Sequence, residues 1–362
     1  MTIHQLDTET RALSDSEAVA LLAEVVAVPS VSGSERKLAE RLRDIAAAHG
    51  AQSHLDEVGN VHVLVGHGTR TVMLLSHLDT VPGEVPFEHT ETLVRGRGAV
   101  DAKGPLTAML VAALNSRDLG IRIHWVGAVE EETLHSRGAE HVRVTVPVPD
   151  AVIVGEPSGA SSVTVGYKGM VQLAVRCEVE RTHTATPGPK SSETLVRALA
   201  RLFDTYGTRG NDTFDGIGMV VRDGRFEPFV SSCSLLFRTP PGASAEDLLR
   251  DVRAVLGEQV EVSAVYEVPA VTVPRGSACV RALSRAIAAT GLRPAHKLKT
   301  GTSDMNTLSR TWRVPMATYG PGDCHEDHTD SEHILVQEYL DGIRVLRAAL
   351  AELDKTLPEA AS

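Results

Sequence analysis

Cysteine is scarce in this chain of 362 residues: four, at Cys177, Cys233, Cys279 and Cys324, with no C-x-x-C pair among them. That argues against a disulfide framework or a zinc ribbon and fits a reducing cytoplasm. Positive charge is also short, with 36 Lys and Arg against 47 Asp and Glu and a net charge of −11. Nucleic acid is therefore not expected as a main partner, because phosphate binding needs basic patches. No apolar run approaches the roughly 20 residues that span a bilayer, so no membrane partner is expected. The opening MTIHQLDTETRALSD has neither a basic nor an apolar stretch, so no secretory leader is expected. Several catalytic signatures are missing as well. There is no G-x-S-x-G elbow, which argues against a serine hydrolase. GRGAVDAKG lacks the third glycine of a dinucleotide fingerprint and does not fit a phosphate loop. HEDH places His325 and His328 three apart, whereas the zinc-binding H-E-x-x-H pattern needs four.

What is present is a regular alternation. The length makes two domains the default expectation. Helical spacing predicts helices over 16–28 and 35–49, and β-type runs occupy 58–65 and 71–76. A helix over 105–117 and strands over 121–129 and 151–154 follow. Strands alternating with helices point to an α/β fold with a parallel or mixed sheet and flanking helices. The pattern changes after Gly159. Strand-like segments at 162–166, 170–180, 218–222, 231–238 and 260–266 enclose helices at 192–206 and 244–256, as in a small inserted α+β unit. The original pattern resumes past Pro274, with a helix at 279–290, strands at 294–298 and 315–319, and a last helix at 331–353. The expected boundaries are 1–165 and 274–362 for the first domain and 166–273 for the insertion.

The polar residues follow that scaffold. Residues 71–76 deliver His77 and Asp79 at a strand end, and the glycine-rich turn 96–98 presents Asp101 just before a helix. Ligands of open α/β sheets collect at the carboxyl ends of strands. Neutral imidazole and carboxylate suit zinc. Three glutamates, Glu130 to Glu132, follow the buried run VGAV, where acidic side chains are costly unless a positive charge offsets them. Glu156 follows the next strand in GEPSG, and His328 lies in the late segment GPGDCHEDHTDSEH. Two histidines and three carboxylates can supply two divalent ions with one carboxylate shared, leaving another glutamate as general base on a bridging water. The bland alternatives are a solvated acidic face for the glutamate run and an exposed turn for Glu156. Cys324 reads as a reduced loop cysteine.

SHLDTVPG, GRGAVDAKG, the glutamate run, GEP, HTATP and the late GPG…DHT segment together resemble the M20 family of binuclear metallopeptidases and deacylases. The resemblance covers nearly the whole chain. It implies a phosphorylase/hydrolase-like catalytic domain that binds two zinc ions, with cobalt as an alternative, interrupted by a ferredoxin-like dimerisation or lid domain. It also implies that His77 is a metal ligand whose ring Asp79 holds, and that Asp101 bridges the ions. Glu131 is the implied base, Glu132 a ligand, and Glu156 and His328 complete the two sites. THTATP is similar to the family's H-S-x-x-P element, which implies that His183 reaches a partner subunit's site and stabilises the oxyanion. Lys168 and Arg238 sit where relatives place basic residues facing a substrate carboxylate, and Gly301 and Thr302 match the loop lining the substrate pocket.

GAVEEE, GEPSG, VGYKG, KTGTSDMN and YGPGD…DHT look most like one branch, the hydrolases that release lysine or ornithine from an amino-group carrier protein. This implies an acidic carrier protein as partner, a homodimer, and a basic surface at the active-site mouth. An N-acyl amino-acid deacylase or dipeptidase uses the same chemistry on another substrate. A non-catalytic binding protein on the same scaffold is the alternative from another class. Lysine versus ornithine stays open at this point.

Overall fold

The computed structural model describes residues 11–207, 210 and 212–359. The first ten residues, on which the absence of a leader was read, lie outside the described residues. The chain packs as two compact units. One takes in the described residues up to Val165 together with Val273–Lys297 and those from Thr311 on, and the other comprises Gly166–Thr272 and Leu298–Arg310.

The first unit is built on a mixed sheet. Its order runs Gln52–Leu55, Val61–Val65, Arg122–Ala128, Thr71–His77, Ala151–Gly155, Met316–Thr318 and Ser162–Tyr167. The three strands from Arg122–Ala128 through Ala151–Gly155, and Met316–Thr318 beside them, pair in parallel; the edges pair antiparallel. Central parallel strands are covered on both faces and so read as unbroken apolar runs. Thr71–His77 fits this, buried at every position after the first. The helix Lys103–Leu114 is buried along its whole length, as expected of one that is apolar all round. It packs against the helices Asp15–Ala27 and Val336–Thr356. The first helix, expected over 16–28, runs Asp15–Ala27, one residue earlier at each end, because Ser14 accepts from the Glu17 amide in a capping box.

Three local expectations shift. The strand expected over 58–65 is confined to Val61–Val65. Asp56 Oδ1 accepts the amides of Val58, Gly59 and Asn60 at 3.0, 2.9 and 2.8 Å, and this side-chain turn replaces the ladder. The helix expected at 331 begins at Val336, since His333–Leu335 first pairs with Leu93–Arg95 as a strand. Residues 298–310, expected with the first domain, cluster with the second unit. Asn306 ties them there by donating to the carbonyls of Lys168 and Pro269, both at 2.9 Å.

The second unit contains a four-stranded antiparallel sheet ordered Gly218–Arg225, Val230–Thr239, Gly169–Glu178, Glu261–Val268. With the helices Ser191–Thr205 and Ala245–Leu256 in their places along the chain, this is the ferredoxin-like β-α-β-β-α-β arrangement. Gly169–Glu178 alternates buried and exposed residues over its second half, as a sheet covered on one face requires. Leu173, Val175, Leu195, Leu235, Phe237 and Leu248 belong to its separate apolar core.

One packing contact fixes where the site begins. A Cβ at Gly155 would lie 2.7 Å from Ser76 Cβ and 2.8 Å from Met109 Sδ, so only glycine fits between these two strand ends and the buried helix. Gly155→Val is expected to cost about 1–3 kcal/mol by overpacking. Because Glu156 is the next residue, bound metal should fall along with the melting temperature; thermal melts and elemental analysis check both.

Candidate metal centre

Three parallel strands end at one edge of the sheet and hand over the site. Thr71–His77 ends in His77, Arg122–Ala128 runs out just before the glutamate run, and Ala151–Gly155 stops before Glu156. Asp101 arrives on the glycine-rich turn. Gly98 there has φ +84°, and a Cβ on it would lie 2.6 Å from Thr80 Cγ2.

The Asp101 carboxylate divides its two oxygens between two imidazoles. His77 Nε2 lies 3.2 Å from Oδ1, and His328 Nε2 lies 3.0 Å from Oδ2. His328 Nε2 is also 2.7 Å from Glu132 Oε1. His77, Asp101 and Glu132 bring donor atoms within 4.8 Å of one another. Glu156 is buried beside them, and its charge acts on His77. Burial alone would lower the pKa of His77, but hydrogen bonds to Asp101 and Asp79 and the charge of Glu156 raise it well above the usual imidazole range. Burial would raise Asp101, yet His328 and His77 hold it well below the usual carboxylate range. Hydrogen bonding to Asp101 and Glu132 pushes His328 up to about 10, against a smaller opposing effect of burial. Protons thus sit between imidazoles and carboxylates where divalent ions fit. Imidazole and carboxylate are hard-to-borderline donors of the kind zinc-class ions take, and Asp101 faces each half of the cluster with one oxygen.

Asp79 has two tasks. The Nδ1–H of His77 donates to its main-chain carbonyl at 2.9 Å, with carboxylate Oδ1 farther off at 3.5 Å. The carboxylate instead accepts the amides of Glu131 and Glu132 at 2.9 and 3.0 Å and the Ser32 hydroxyl at 2.7 Å. It therefore shapes the acidic turn as well as standing beside the ring. Glu130 is turned elsewhere. Its carboxylate pairs with Arg137, its amide donates to Glu35 Oε1 at 3.1 Å, and its φ is +56°. Glu131 and Glu132 are left half-buried in the turn that follows. His328 has φ +62°, so both loops that deliver acids and imidazole carry a non-glycine residue in the left-handed region. Such conformations cost free energy and persist where the surroundings impose them.

Glu332 escaped the sequence reading, although it lies four residues after His328. It is 1 % exposed. Its Oε1 accepts the amides of Val100 and Asp101 at 3.0 and 3.1 Å; its Oε2 accepts Gly98 N–H at 3.0 Å and Arg97 Nη1 at 2.9 Å. One carboxylate thus fastens the Asp101 turn to the His328 loop. The available signal was weak: Glu332 is the last of five acids in the segment GPGDCHEDHTDSEH.

The remaining site residues lie in the second unit. Arg238 Nη1 donates to Thr302 Oγ1 at 2.9 Å, so two of them meet; Gly301 has open space where a Cβ would be. Lys168 is buried, and its ammonium donates to the carbonyls of Gly210 and Gly216 at 2.5 and 2.6 Å, which makes it a tie within its own unit. His183 is exposed, and its Nδ1 accepts the Ala185 amide at 3.2 Å. Asp323, Cys324 and His325 also bring donors together, but as successive residues of one turn in which His325 Nδ1 already lies 2.7 Å from Asp323 Oδ1.

Residues 73–352 match the profile of peptidase family M20/M25/M40. The chain is 37% identical, over 92% of its length and 96% of the relative's, to a LysW-lysine hydrolase of Deinococcus radiodurans. It is 31% identical to a LysW-lysine/LysW-ornithine hydrolase of Saccharolobus islandicus, over 79% of the chain and 82% of that protein. Among solved structures it resembles the M20 family metallo-carboxypeptidase Sso-CP2 from Sulfolobus solfataricus. The TM-score there is 0.79 at 16% identity, covering 94% of this chain and 99% of that one.

Glu332→Gln removes an acceptor from buried amides, at an expected cost of about 1–3 kcal/mol. It should also loosen Asp101 and weaken metal binding, read by chelator competition. Metal uptake by metal-free protein is expected to release protons, because His328 holds one up to about pH 10. Apparent affinity should then rise with pH up to that value. Calorimetric titrations in buffers of differing ionisation enthalpy measure the release, and an enthalpy independent of buffer contradicts it.

Proposed function

Because the chain belongs to peptidase family M20/M25/M40 and is a hydrolase, we propose that it is a two-metal amide hydrolase releasing lysine or ornithine from an amino-group carrier protein. The observation that carries the two-metal reading is the Asp101 carboxylate, with His77 at one oxygen and His328 at the other. His77 and Glu156 would hold one ion, Glu132 and His328 the second, and Asp101 both. The donors suit zinc, with cobalt as the alternative. When bound, the ions supply Lewis acidity that brings a water near neutral pKa.

The chain's own groups then act as follows. Glu131 takes a proton from the water as it attacks the amide carbonyl, and hands that proton to the departing amine. The C–N bond breaks, leaving a carboxylate on the carrier and a free amino group on the product. Asp79 keeps the Glu131 and Glu132 amides in place through its carboxylate. His183 of the partner subunit would donate to the oxyanion, which makes a homodimer part of the proposal. Arg238 and Thr302, joined to each other, and Gly301 beside them would receive the α-carboxylate of the amino acid.

The names of the relatives support the carrier as substrate. The bond cut would join the α-amino group of lysine or ornithine to the γ-carboxyl of the carrier's C-terminal glutamate, in cytoplasmic lysine or arginine biosynthesis. An acidic carrier needs a basic surface near the site for productive encounter.

Amine release from carrier-linked lysine, carrier-linked ornithine, N-acetylornithine and N-succinyl-diaminopimelate tests the substrate directly. Preference for the carrier conjugates is expected. Preference for a free acyl amino acid removes the carrier and leaves the metal chemistry standing. Glu131→Ala should abolish turnover at nearly unchanged metal content, whereas His77→Ala or Asp101→Ala should lower bound metal. Turnover retained in Glu131→Ala overturns the base.

A further inference from the structure

Where the strand Arg122–Ala128 runs out, four successive main-chain amides are each accepted by a side-chain oxygen from another segment. Val129 donates to Asn60 Oδ1 at 3.0 Å and Glu130 to Glu35 Oε1 at 3.1 Å. Glu131 and Glu132 donate to Asp79 Oδ1 and Oδ2 at 2.9 and 3.0 Å. Amides withdrawn from water need partners, and here side chains take the place of a strand ladder.

The acceptors have different duties. Asn60 holds the strand exit, and Asp79 holds Glu131 and Glu132. Glu35 holds the residue between them. Glu130 has φ +56°, a conformation that is costly for a glutamate and persists only where it is imposed. It is fastened at three points. Its N–H goes to Glu35, its carbonyl accepts the Thr133 hydroxyl at 2.8 Å, and its carboxylate pairs with Arg137. Turning Glu130 out of the left-handed region would redirect the chain as it enters Glu131.

Glu35 is itself built in. It is 4 % exposed, and the same Oε1 also accepts the Gly33 amide at 2.9 Å. The segment before it is stitched to residues 78–80. Ser30 Oγ donates to Leu78 O at 2.8 Å, Thr80 N–H to Ser30 O at 3.0 Å, and Ser32 Oγ to Asp79 Oδ2 at 2.7 Å. Glu35 and Asp79 therefore reach the acidic turn from one joined support. Burial pushes the Glu35 carboxyl up, the amides of Gly33, Glu35 and Glu130 pull against it, and the charge of Asp79 adds to the rise. A second buried acid beside Asp79 is costly. What it adds is a charge-assisted bond to the Glu130 amide.

We propose that Glu35 is a positioning residue for the general base: acting through the Glu130 amide, it keeps Glu130 left-handed and so aims the Glu131 carboxylate. This rests on the reading of Glu131 as the base. Glu132 lies one residue farther on, with its amide on Asp79, so bound metal is expected to survive the loss of Glu35.

The test uses the full metal-loaded chain. Glu35→Ala should lower kcat roughly 10–100-fold, as a small misplacement of a reacting group does. KM and metal content should stay near wild type, the pattern of an interaction felt only in the transition state. Glu35→Gln keeps an oxygen acceptor in place and should recover most of the loss. Hydrogen exchange over residues 129–133 in metal-free protein gives a readout independent of turnover. Faster exchange is expected in Glu35→Ala and not in Glu35→Gln. If Glu35→Ala does not fold, Thr133→Val releases the Glu130 carbonyl from a half-buried position and should show the same kcat pattern. Unchanged kcat beside an inactive Glu131→Ala overturns the role of Glu35 alone, and so does a fall in kcat that merely follows lost metal. Turnover retained in Glu131→Ala overturns the base, and this role with it, whatever the exchange shows.

Discussion

The Asp101 carboxylate, shared between His77 and His328, is the contact on which the remaining arrangement depends. Asp101, Glu132 and Glu156 gather at one strand edge with Asp79 close behind; Asp79 and Glu156 are buried, and Asp101 and Glu132 half-buried. A group of that kind is costly to desolvate unless positive charge or hydrogen-bond donors meet every oxygen. Two imidazoles answer part of the need, and their raised pKa values show how strongly the acids hold the positive form. Divalent ions answer it more fully, because each carries two charges and takes several oxygens and nitrogens at once.

Two carboxylates set the geometry of the cluster through the main chain. Asp79 takes the amides of Glu131 and Glu132, and Glu332 takes those of Gly98, Val100 and Asp101. Charge-assisted bonds from several amides to one carboxylate are stronger than neutral ones, and they fix a turn more tightly than one contact does. Each loop is therefore held by an acid from elsewhere in the chain, which fixes the proposed ligands through the backbone. Glu130 serves the same end from outside: its pairing with Arg137 takes one member of the acidic run out of the ligand set.

The two units divide the work that the family resemblance implied. The first carries the proposed ligands and the proposed base; the second carries His183, Lys168, Arg238, Gly301 and Thr302. Lys168, in VGYKG, gives two of its three ammonium donors to carbonyls of its own unit. A buried lysine needs such partners, because an ammonium removed from water without acceptors is severely penalised.

The alternation of strands and helices, the inserted α+β unit and the candidacy of His77, Asp101, the Glu131–Glu132 pair, Glu156 and His328 were legible from residue order. They rest on local signals: apolar periodicity, glycine turns, and acids or imidazoles placed directly after apolar strands. The tertiary structure alone decided which of these groups meet. His77 and Asp101 are 24 residues apart, His328 and Glu132 are 196 apart, and Glu332 holds an amide 232 residues away. It alone revealed the partners of Glu130, the two faces of Asp79 and the side chains that accept the amides of residues 129–132. Contacts of that span arise when packed strands and helices bring separate loops to one edge, and no local pattern encodes the distance between them.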